Sequence, residues 1–177
     1  AWHTSKPKTV VMSTLDYSAG AAHREMDTRL AGHREDSGWV AYLFEVDTVT
    51  GKGKPIDQGS QFTEQWIVNR DGACVARSEW NPKLSKYRVL AKDGAGWREI
   101  YSRNERGDIG LHGLSAEGTG IVAVGPNDAG RRVAWTIPLD GSGIKVLYED
   151  PDNEVESIVY DRFDGTPVGV WLGGQTQ

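Results

Sequence analysis

A chain of 177 residues with a net charge of −5 is long enough for one domain with a hydrophobic core. The acidic balance leaves no basic patch to neutralise phosphates, so nucleic acid is excluded as a partner. The single cysteine, Cys74, excludes an internal disulfide framework and a cysteine-based zinc site. No apolar run reaches the ~20 residues of a membrane span, which predicts a soluble protein with no membrane partner. The sequence does not decide between a cytoplasmic and a periplasmic location.

The composition favours β-structure. The chain has 22 glycines and seven tryptophans, and it lacks the alanine- and leucine-rich stretches of helices. In chain order, the first predicted strands are "TVVMSTLD" and "WVAYLFEV", followed by a hairpin at "VDTVTGKGKPID". The glycines of that hairpin suit a turn, because the spacing in "GKGKP" does not fit a phosphate-binding loop.

Two later segments each contain four predicted strands. They are "QWIVN", "CVARSEW", "KYRVLAK" and "WREIYS" in one segment, and "GLHGLS", "GIVAVG", "VAWTIPL" and "IKVLYE" in the next. Apolar residues alternate or run continuously over each string, as in half-buried and buried strands.

An internal repeat relates these segments. Asp71-Gly72, Glu117-Gly118 and Asp164-Gly165 follow one another at intervals of 46 and 47 residues. Four antiparallel strands per ~45 residues is the period of a β-propeller blade. A β-sandwich also uses short strands, but it does not need the same turn at a fixed interval.

We therefore predict an all-β fold, a partial β-propeller with about three to four blades of four-stranded antiparallel sheets. The chain forms one propeller segment, with approximate blades at residues 9–61, 62–108, 109–154 and an incomplete 155–174. Thirteen strands are expected, three of them before residue 61. Such an arc leaves faces and edges uncovered, so we expect either a piece of a larger ring or a homo-oligomer formed through the exposed edges.

Several strings resemble the amino-terminal propeller of bacterial prolyl oligopeptidase-family serine peptidases, in the branch of dipeptidyl aminopeptidases and acylaminoacyl peptidases. The strings are "SGWVAYLFEVDTVTGKG", "VARSEWNP", "VLAKDGAGWREIY" and "IPLDGSGIKVLYEDPDNEVESIVYDRFDGTPVGVWLGG". The resemblance extends over nearly all of residues 9–174. It implies a propeller that caps an α/β-hydrolase domain, restricts access to a Ser-Asp-His triad and lends side chains that grip a peptide.

The hydrolase part has no counterpart in this sequence. No G-x-S-x-G nucleophile elbow occurs, and no residue matches the family's triad. The chain should therefore be inactive by itself, with no catalytic residue, cofactor or metal. We expect the non-catalytic propeller portion of a serine peptidase, which gates and orients peptide substrates for a hydrolase domain absent from this chain. The alternative is a stand-alone propeller-like module that binds proteins and has no enzymatic activity.

The stretch "HREMDTRLAGHRED" at residues 23–36 carries a doubled His-Arg-Glu. Its length and charge favour a solvated loop between two strands. If the loop reaches the cavity, the family resemblance implies substrate binding. The residues would then be Arg24, Glu25, Arg34 and Glu35, with the carboxylates binding an ammonium group and the arginines a carbonyl or carboxylate. A metal site is the third alternative, although there is no HExxH pattern.

The other candidate residues have structural explanations. The acidic string "EDPDNE" at 149–154 lacks the glycine of a calcium loop and is predicted to be a turn. His112 lies on an apolar strand and is expected in the core, and Cys74 is expected to be a buried, inert thiol. Most of the tryptophans are expected to fill the gaps between blades. They are Trp39, Trp66, Trp80, Trp97, Trp135 and Trp171.

Overall fold

The fold was described from a computed structural model covering residues 1–17 and 39–173. In those ranges the protein is all-β, with fourteen strands and no helix. The strands are β1 (Trp2–His3), β2 (Thr9–Tyr17), β3 (Trp39–Asp47), β4 (Gly53–Gln58), β5 (Thr63–Val68), β6 (Cys74–Asn81), β7 (Lys86–Asp93), β8 (Gly96–Asn104), β9 (Gly110–Leu114), β10 (Gly120–Pro126), β11 (Arg132–Pro138), β12 (Lys145–Tyr148), β13 (Glu154–Tyr160) and β14 (Pro167–Gly173).

The strands form four antiparallel sheets in which sequence neighbours pair with each other. Sheet I has the order β1-β2-β3-β4, sheet II β5-β6-β7-β8 and sheet III β9-β10-β11-β12. Sheet IV consists of β13 and β14. Repeated meanders of four strands constitute a partial propeller-like fold, as predicted.

The expected count of three strands before residue 61 was wrong, because β1 was missed. This strand has two residues, and Trp2 and His3 pair with Val11 and Val10 of β2. Two residues are too few to show the alternation by which strands are recognised in a sequence.

The glycines of the repeated turns adopt a left-handed backbone conformation. Gly72, Gly118 and Gly165 have φ values of +81°, +69° and +71°. A side chain at such φ values is strained, so glycine is favoured at these corners. The side chain of Asn69 also accepts hydrogen bonds from the backbone of Asp71 and Ala73, at 3.1 and 2.9 Å. The tight turn lets the first two strands of a sheet pair directly.

Three apolar layers hold the sheets face to face. Val11, Ala41 and Leu43 of sheet I pack near Trp66 of sheet II. The largest layer lies between sheets II and III, and the third lies between sheets III and IV. The side chains of the largest layer are Ile67, Ala76, Tyr87, Val89, Ala91, Ile100, Leu111, Ile121, Ala123, Val133, Trp135 and Ile137.

Burial depends on the position of a strand in its sheet. All of β10 is buried up to Gly125, whereas all four residues of β12 are exposed. The reason is that β10 is an interior strand with sheets packed on both faces, while β12 forms an outer edge. Continuous apolar runs are typical of strands that are covered on both sides.

Of the six tryptophans predicted to fill the gaps between blades, the side chain of Trp39 lies outside the described residues, and four of the other five follow the prediction. Trp66 and Trp135 are buried between sheets, and Trp80 and Trp97 are partly buried beside them. Trp171 is instead 64% exposed on β14. The repeat predicts a buried side chain at this position, but no further sheet among the described residues covers Trp171.

A buried ionic cluster fastens sheet II to the segment that follows sheet I. Glu79 is 1% exposed, and its carboxylate lies 2.9 Å from Arg77 and 2.6 Å from Arg88. The hydroxyl of Ser60 donates a third contact at 3.0 Å. The guanidinium of Arg77 lies over the Trp97 ring at 4.2 Å. A buried carboxylate is tolerated because its oxygens are satisfied by charged donors.

We predict that Glu79→Gln destabilises the protein by about 3–5 kcal/mol, because it leaves two partly buried guanidinium groups without their counter-charge. Urea unfolding measures the loss. The matched control is Glu99→Gln, since Glu99 pairs with Lys86 at 3.0 Å on the surface. That change should alter stability by at most about 1 kcal/mol. Equal effects of the two substitutions would contradict a structural role for the buried cluster.

Candidate functional site

The first strands of the sheets surround a cleft of about 810 Å³. Three segments supply most of its wall, namely residues 64–71, 111–118 and 160–167. Each segment is the end of a first strand together with the turn that follows it. Residues 1–3 and Ser13 complete the wall on the side of sheet I. The volume is within the range of small-ligand and peptide sites.

The cleft lies here because the sheets are arranged around their first strands. Each first strand is paired on one side only, so its other edge faces the cleft. Gln65 of β5 reaches across to β9, where its side-chain oxygen accepts the backbone N–H of Leu111 at 3.2 Å. Backbone edges and turn residues therefore form the wall, and these groups are rich in hydrogen-bond donors and acceptors.

An ion pair joins the turns of sheets II and IV across the cleft. The guanidinium of Arg70 contacts the carboxylate of Asp164 and also donates to the Thr166 hydroxyl at 3.0 Å. Hydrogen bonds from Thr166, followed by the charge of Arg70, hold the pKa of Asp164 below its ordinary value. The pair is exposed, so it sets the position of the turns more than it adds to stability.

His112 and Tyr160 form the second link across the cleft. His112 lies on β9 of sheet III, and its Nδ1 is 2.6 Å from the hydroxyl of Tyr160 at the end of β13. The two ring centroids are 6.1 Å apart. This geometry places a short hydrogen bond and two aromatic rings on the same wall.

Both members of this pair are neutral at pH 7. Burial lowers the pKa of His112 below 6.5 and raises the pKa of Tyr160 above 10. Burial disfavours the charged form of each group, which is the imidazolium for histidine and the phenolate for tyrosine. The pair therefore presents neutral groups that can donate and accept hydrogen bonds.

The charges on the rest of the wall are predominantly negative. Five of the lining residues are carboxylates and two are arginines. The carboxylates are Glu64, Asp71, Glu117, Asp161 and Asp164, and the arginines are Arg70 and Arg162. A cleft with an excess of one charge concentrates ligands of the opposite charge.

Ser115 on the cleft wall has no adjacent base among the described residues. Its buried Oγ has no hydrogen-bond partner there, while His112 is bonded to Tyr160. A serine nucleophile needs an adjacent base to take its proton.

The predicted substrate-binding residues Arg24, Glu25, Arg34 and Glu35 lie outside the described residues. Their role remains a prediction. His112 was expected in the core. The structure instead places it half-buried at the cleft, with its ring hydrogen-bonded to Tyr160. Tyr160 was not singled out from the sequence. The available signal was that both lie on first strands of the repeat, shortly before its turn.

The remaining motifs have structural roles. Asp150 of the string "EDPDNE" accepts backbone hydrogen bonds from Asp152 and Asn153 in the connection between β12 and β13. These bonds lower the pKa of Asp150. Burial raises the pKa of the Cys74 thiol to about 12, so it is a protonated thiol at neutral pH.

In residues 1–17 and 39–173, no group of three or more histidine, cysteine, aspartate or glutamate residues is placed to hold a metal ion. The same ranges contain no helix with the length and apolar character needed to cross a membrane.

No protein-family model matches the chain, and a search of curated proteins found no similar sequence.

We predict that the imidazole of His112 titrates below pH 6.5 in the folded protein, because burial opposes its protonation. The unfolded chain binds this proton more readily. The contribution of His112 to stability is therefore present above pH 6.5 and is lost as the pH falls through the folded-state pKa. An NMR titration of the imidazole measures this pKa. Tyr160→Phe keeps the aromatic ring beside His112, so the pKa of His112 should stay low in this variant. A measured pKa above 6.5 would contradict the burial of His112.

Proposed function

We propose that this chain is the non-catalytic propeller portion of a serine peptidase, similar to those of the prolyl oligopeptidase family. Its role is to admit short peptides and orient them for an α/β-hydrolase domain that is not part of this sequence. The sequence resemblance supports the family, and the cleft supports the binding role.

The observation that carries the proposal is the cleft of about 810 Å³ on the first strands of the sheets. A peptide in extended form needs donors and acceptors for its backbone along a groove. The exposed edges of β5 and β9, together with the neutral His112–Tyr160 pair, supply such groups. A folded protein domain is too large for a cleft of this volume, so access is restricted to short or unfolded segments.

The charge of the wall favours some peptides over others as ligands. The five carboxylates exceed the two arginines, although Asp164 pairs with Arg70 and Glu64 pairs with Arg106 from outside the lining. A free amino terminus carries a positive charge at neutral pH, and an acidic cleft attracts it over distances of about 10 Å at moderate ionic strength. Peptides with a free ammonium group are therefore the preferred ligands.

The binding role is tested by titrating the chain with short peptides and following amide shifts by NMR. We predict that Tyr160→Phe weakens peptide binding by about three- to tenfold, because one neutral hydrogen bond is worth about 0.5–1.5 kcal/mol. The shifts should fall on the segments 64–71, 111–118 and 160–167. Acetylation of the peptide amino terminus should also weaken binding.

The matched control is Tyr148→Phe. Tyr148 is 38% exposed on β12, and Tyr160 is 45% exposed. Tyr148 is not among the residues that line the cleft, so its hydroxyl should not affect peptide binding. Equal effects of the two substitutions, or shifts spread over the outer strands, would disprove the cleft as the peptide site.

The peptidase assignment has a separate test. The gene that encodes this chain should also encode an α/β-hydrolase domain with a G-x-S-x-G elbow. The chain alone should not turn over aminoacyl or peptidyl chromogenic substrates. Hydrolysis that a serine-directed reagent abolishes would place the chemistry in this chain and overturn the proposal.

A second candidate is a stand-alone module that binds proteins. It is favoured by the outer strand β12, where Val146 and Leu147 are 55% and 54% exposed. Adjacent exposed apolar side chains are common at protein interaction surfaces. A gene that lacks any hydrolase domain would favour this candidate.

A further inference from the structure

The hydrogen bond between His112 and Tyr160 has a length that identifies its donor. Nδ1 of His112 lies 2.6 Å from the hydroxyl oxygen of Tyr160. Hydrogen bonds from an N–H to an oxygen span about 2.7–3.2 Å, whereas those from an O–H begin at about 2.5 Å. The distance therefore favours the Tyr160 hydroxyl as the donor and Nδ1 as the acceptor.

The chemistry of the two groups gives the same direction. Both are neutral at pH 7, because burial lowers the pKa of His112 and raises the pKa of Tyr160. A phenol is a stronger acid than the N–H of a neutral imidazole, and an imidazole nitrogen with a free lone pair is a better acceptor than a phenol oxygen. A neutral imidazole carries one ring proton on nitrogen, so an accepting Nδ1 leaves that proton on Nε2.

Nε2 of His112 lies over Gly110, two residues earlier on β9. A Cβ atom on Gly110 would be 3.1 Å from Nε2, which is tighter than most contacts of real Cβ atoms. The glycine thus leaves the space beside Nε2 open. Among the described residues the imidazole bonds to Tyr160 alone, through Nδ1. Nε2 is not buried, and His112 lines the cleft, so a ligand in the cleft can reach this nitrogen.

We propose that Tyr160 donates to Nδ1 and holds His112 as the Nε2–H tautomer, and that Nε2–H donates a hydrogen bond to a backbone carbonyl oxygen of a peptide bound in the cleft. His112 is then the residue that contacts the peptide, and Tyr160 is a positioning residue that acts through it. The identity of the ligand rests on the proposed function, whereas the tautomer is a property of the chain without ligand.

The charge of the cleft favours a carbonyl oxygen over a carboxylate as the acceptor. Five carboxylates line the wall, so a negatively charged group is repelled. Both lining arginines are engaged, since Arg70 pairs with Asp164. Arg162 lies over the ring of Phe163 at 5.1 Å. A neutral N–H donor matches the neutral oxygen that each peptide unit presents, whereas the opposite tautomer would select an N–H of the ligand.

The tautomer is measured on the ¹⁵N-labelled chain by long-range NMR correlation of the carbon-bound imidazole protons with the two ring nitrogens. Above pH 7 we expect a protonated Nε2 and an unprotonated Nδ1 for His112. Tyr160→Phe removes the hydroxyl donor and should shift part of the population to the Nδ1–H tautomer. A protonated Nδ1 in the unaltered chain overturns the proposal, and so does a tautomer that Tyr160→Phe leaves unchanged.

Trialanine is the probe for the contact with the ligand. His112→Leu keeps a side chain of similar size but no donor, so it should weaken binding about three- to tenfold. His112→Gln retains an N–H donor and should remain within about twofold of the unaltered chain. The rest of β9 is apolar or glycine, so both variants should fold, which circular dichroism verifies. Equal binding by the unaltered chain and His112→Leu overturns the proposal.

Sulfur in place of an amide oxygen tests the carbonyl contact directly, because a thioamide is a weaker acceptor. The amide oxygens of trialanine are replaced one at a time. For one of these analogues the unaltered chain and His112→Leu should bind equally, since the contact between donor and acceptor is then absent from both. An advantage of the unaltered chain that persists with every analogue overturns the carbonyl assignment.

Gly110→Ala tests the space beside Nε2. Its methyl group presses on the ring, so it should weaken trialanine binding about three- to tenfold and move the ¹⁵N shift of Nε2. The matched control is Gly169→Ala on β14, where the added Cβ lies 3.8 Å from Val159 in ordinary contact. It should change neither quantity. No binding of trialanine overturns both this proposal and the proposed function, whereas binding in the cleft that the His112 and Gly110 variants do not alter overturns this proposal alone.

Discussion

The packing of apolar sheet faces against one another is the constraint on which the rest of the structure depends. An antiparallel sheet with apolar side chains on both faces is stable in water only when both faces are covered. Sheets II and III meet this condition because each has a neighbour on both sides. The layer that contains Val89 and Ile121, both fully buried, is the centre of the fold. Without it, the first strands would not be held around a common cleft.

The position of the site follows from this packing. Stacking four sheets face to face brings their first strands close together and leaves the outer strands apart. Residues distant in sequence thereby become neighbours, such as His112 of β9 and Tyr160 of β13. The neutral state of this pair is a further result of packing, because burial acts on both pKa values. The pKa values of these side chains at the cleft thus depend on the packing of the sheets that bury them.

The fold was largely predictable from the sequence because its signals are local. The glycine at each repeated corner and the apolar runs on β5 and β10 depend on a few adjacent residues, so the strands of sheets II and III could be recognised. β1 was missed since two residues carry no pattern, and its place in sheet I is set by pairing with Val10 and Val11. The exposure of Trp171 was also missed, because its register matches that of buried residues in other sheets.

The site was less predictable than the fold. His112 was expected in the core because its neighbours are apolar, yet contact with Tyr160 depends on how sheet IV packs on sheet III. The distance between β9 and β13 is a property of the three-dimensional arrangement, and no local spacing encodes it. The buried carboxylate of Glu79 was likewise not foreseen, since its partners Arg77 and Arg88 look like surface residues in the sequence.

The bridge between Arg70 and Asp164 has a consequence for the order of folding. Each of sheets II and III is a meander whose pairings are local, so it can form early at a low cost in chain entropy. Arg70 and Asp164 are 94 residues apart and meet only after sheets II, III and IV have docked. We expect the closure of the cleft to be a late event in folding. Until then, the inner edges of β5 and β9 do not face the other first strands across the cleft.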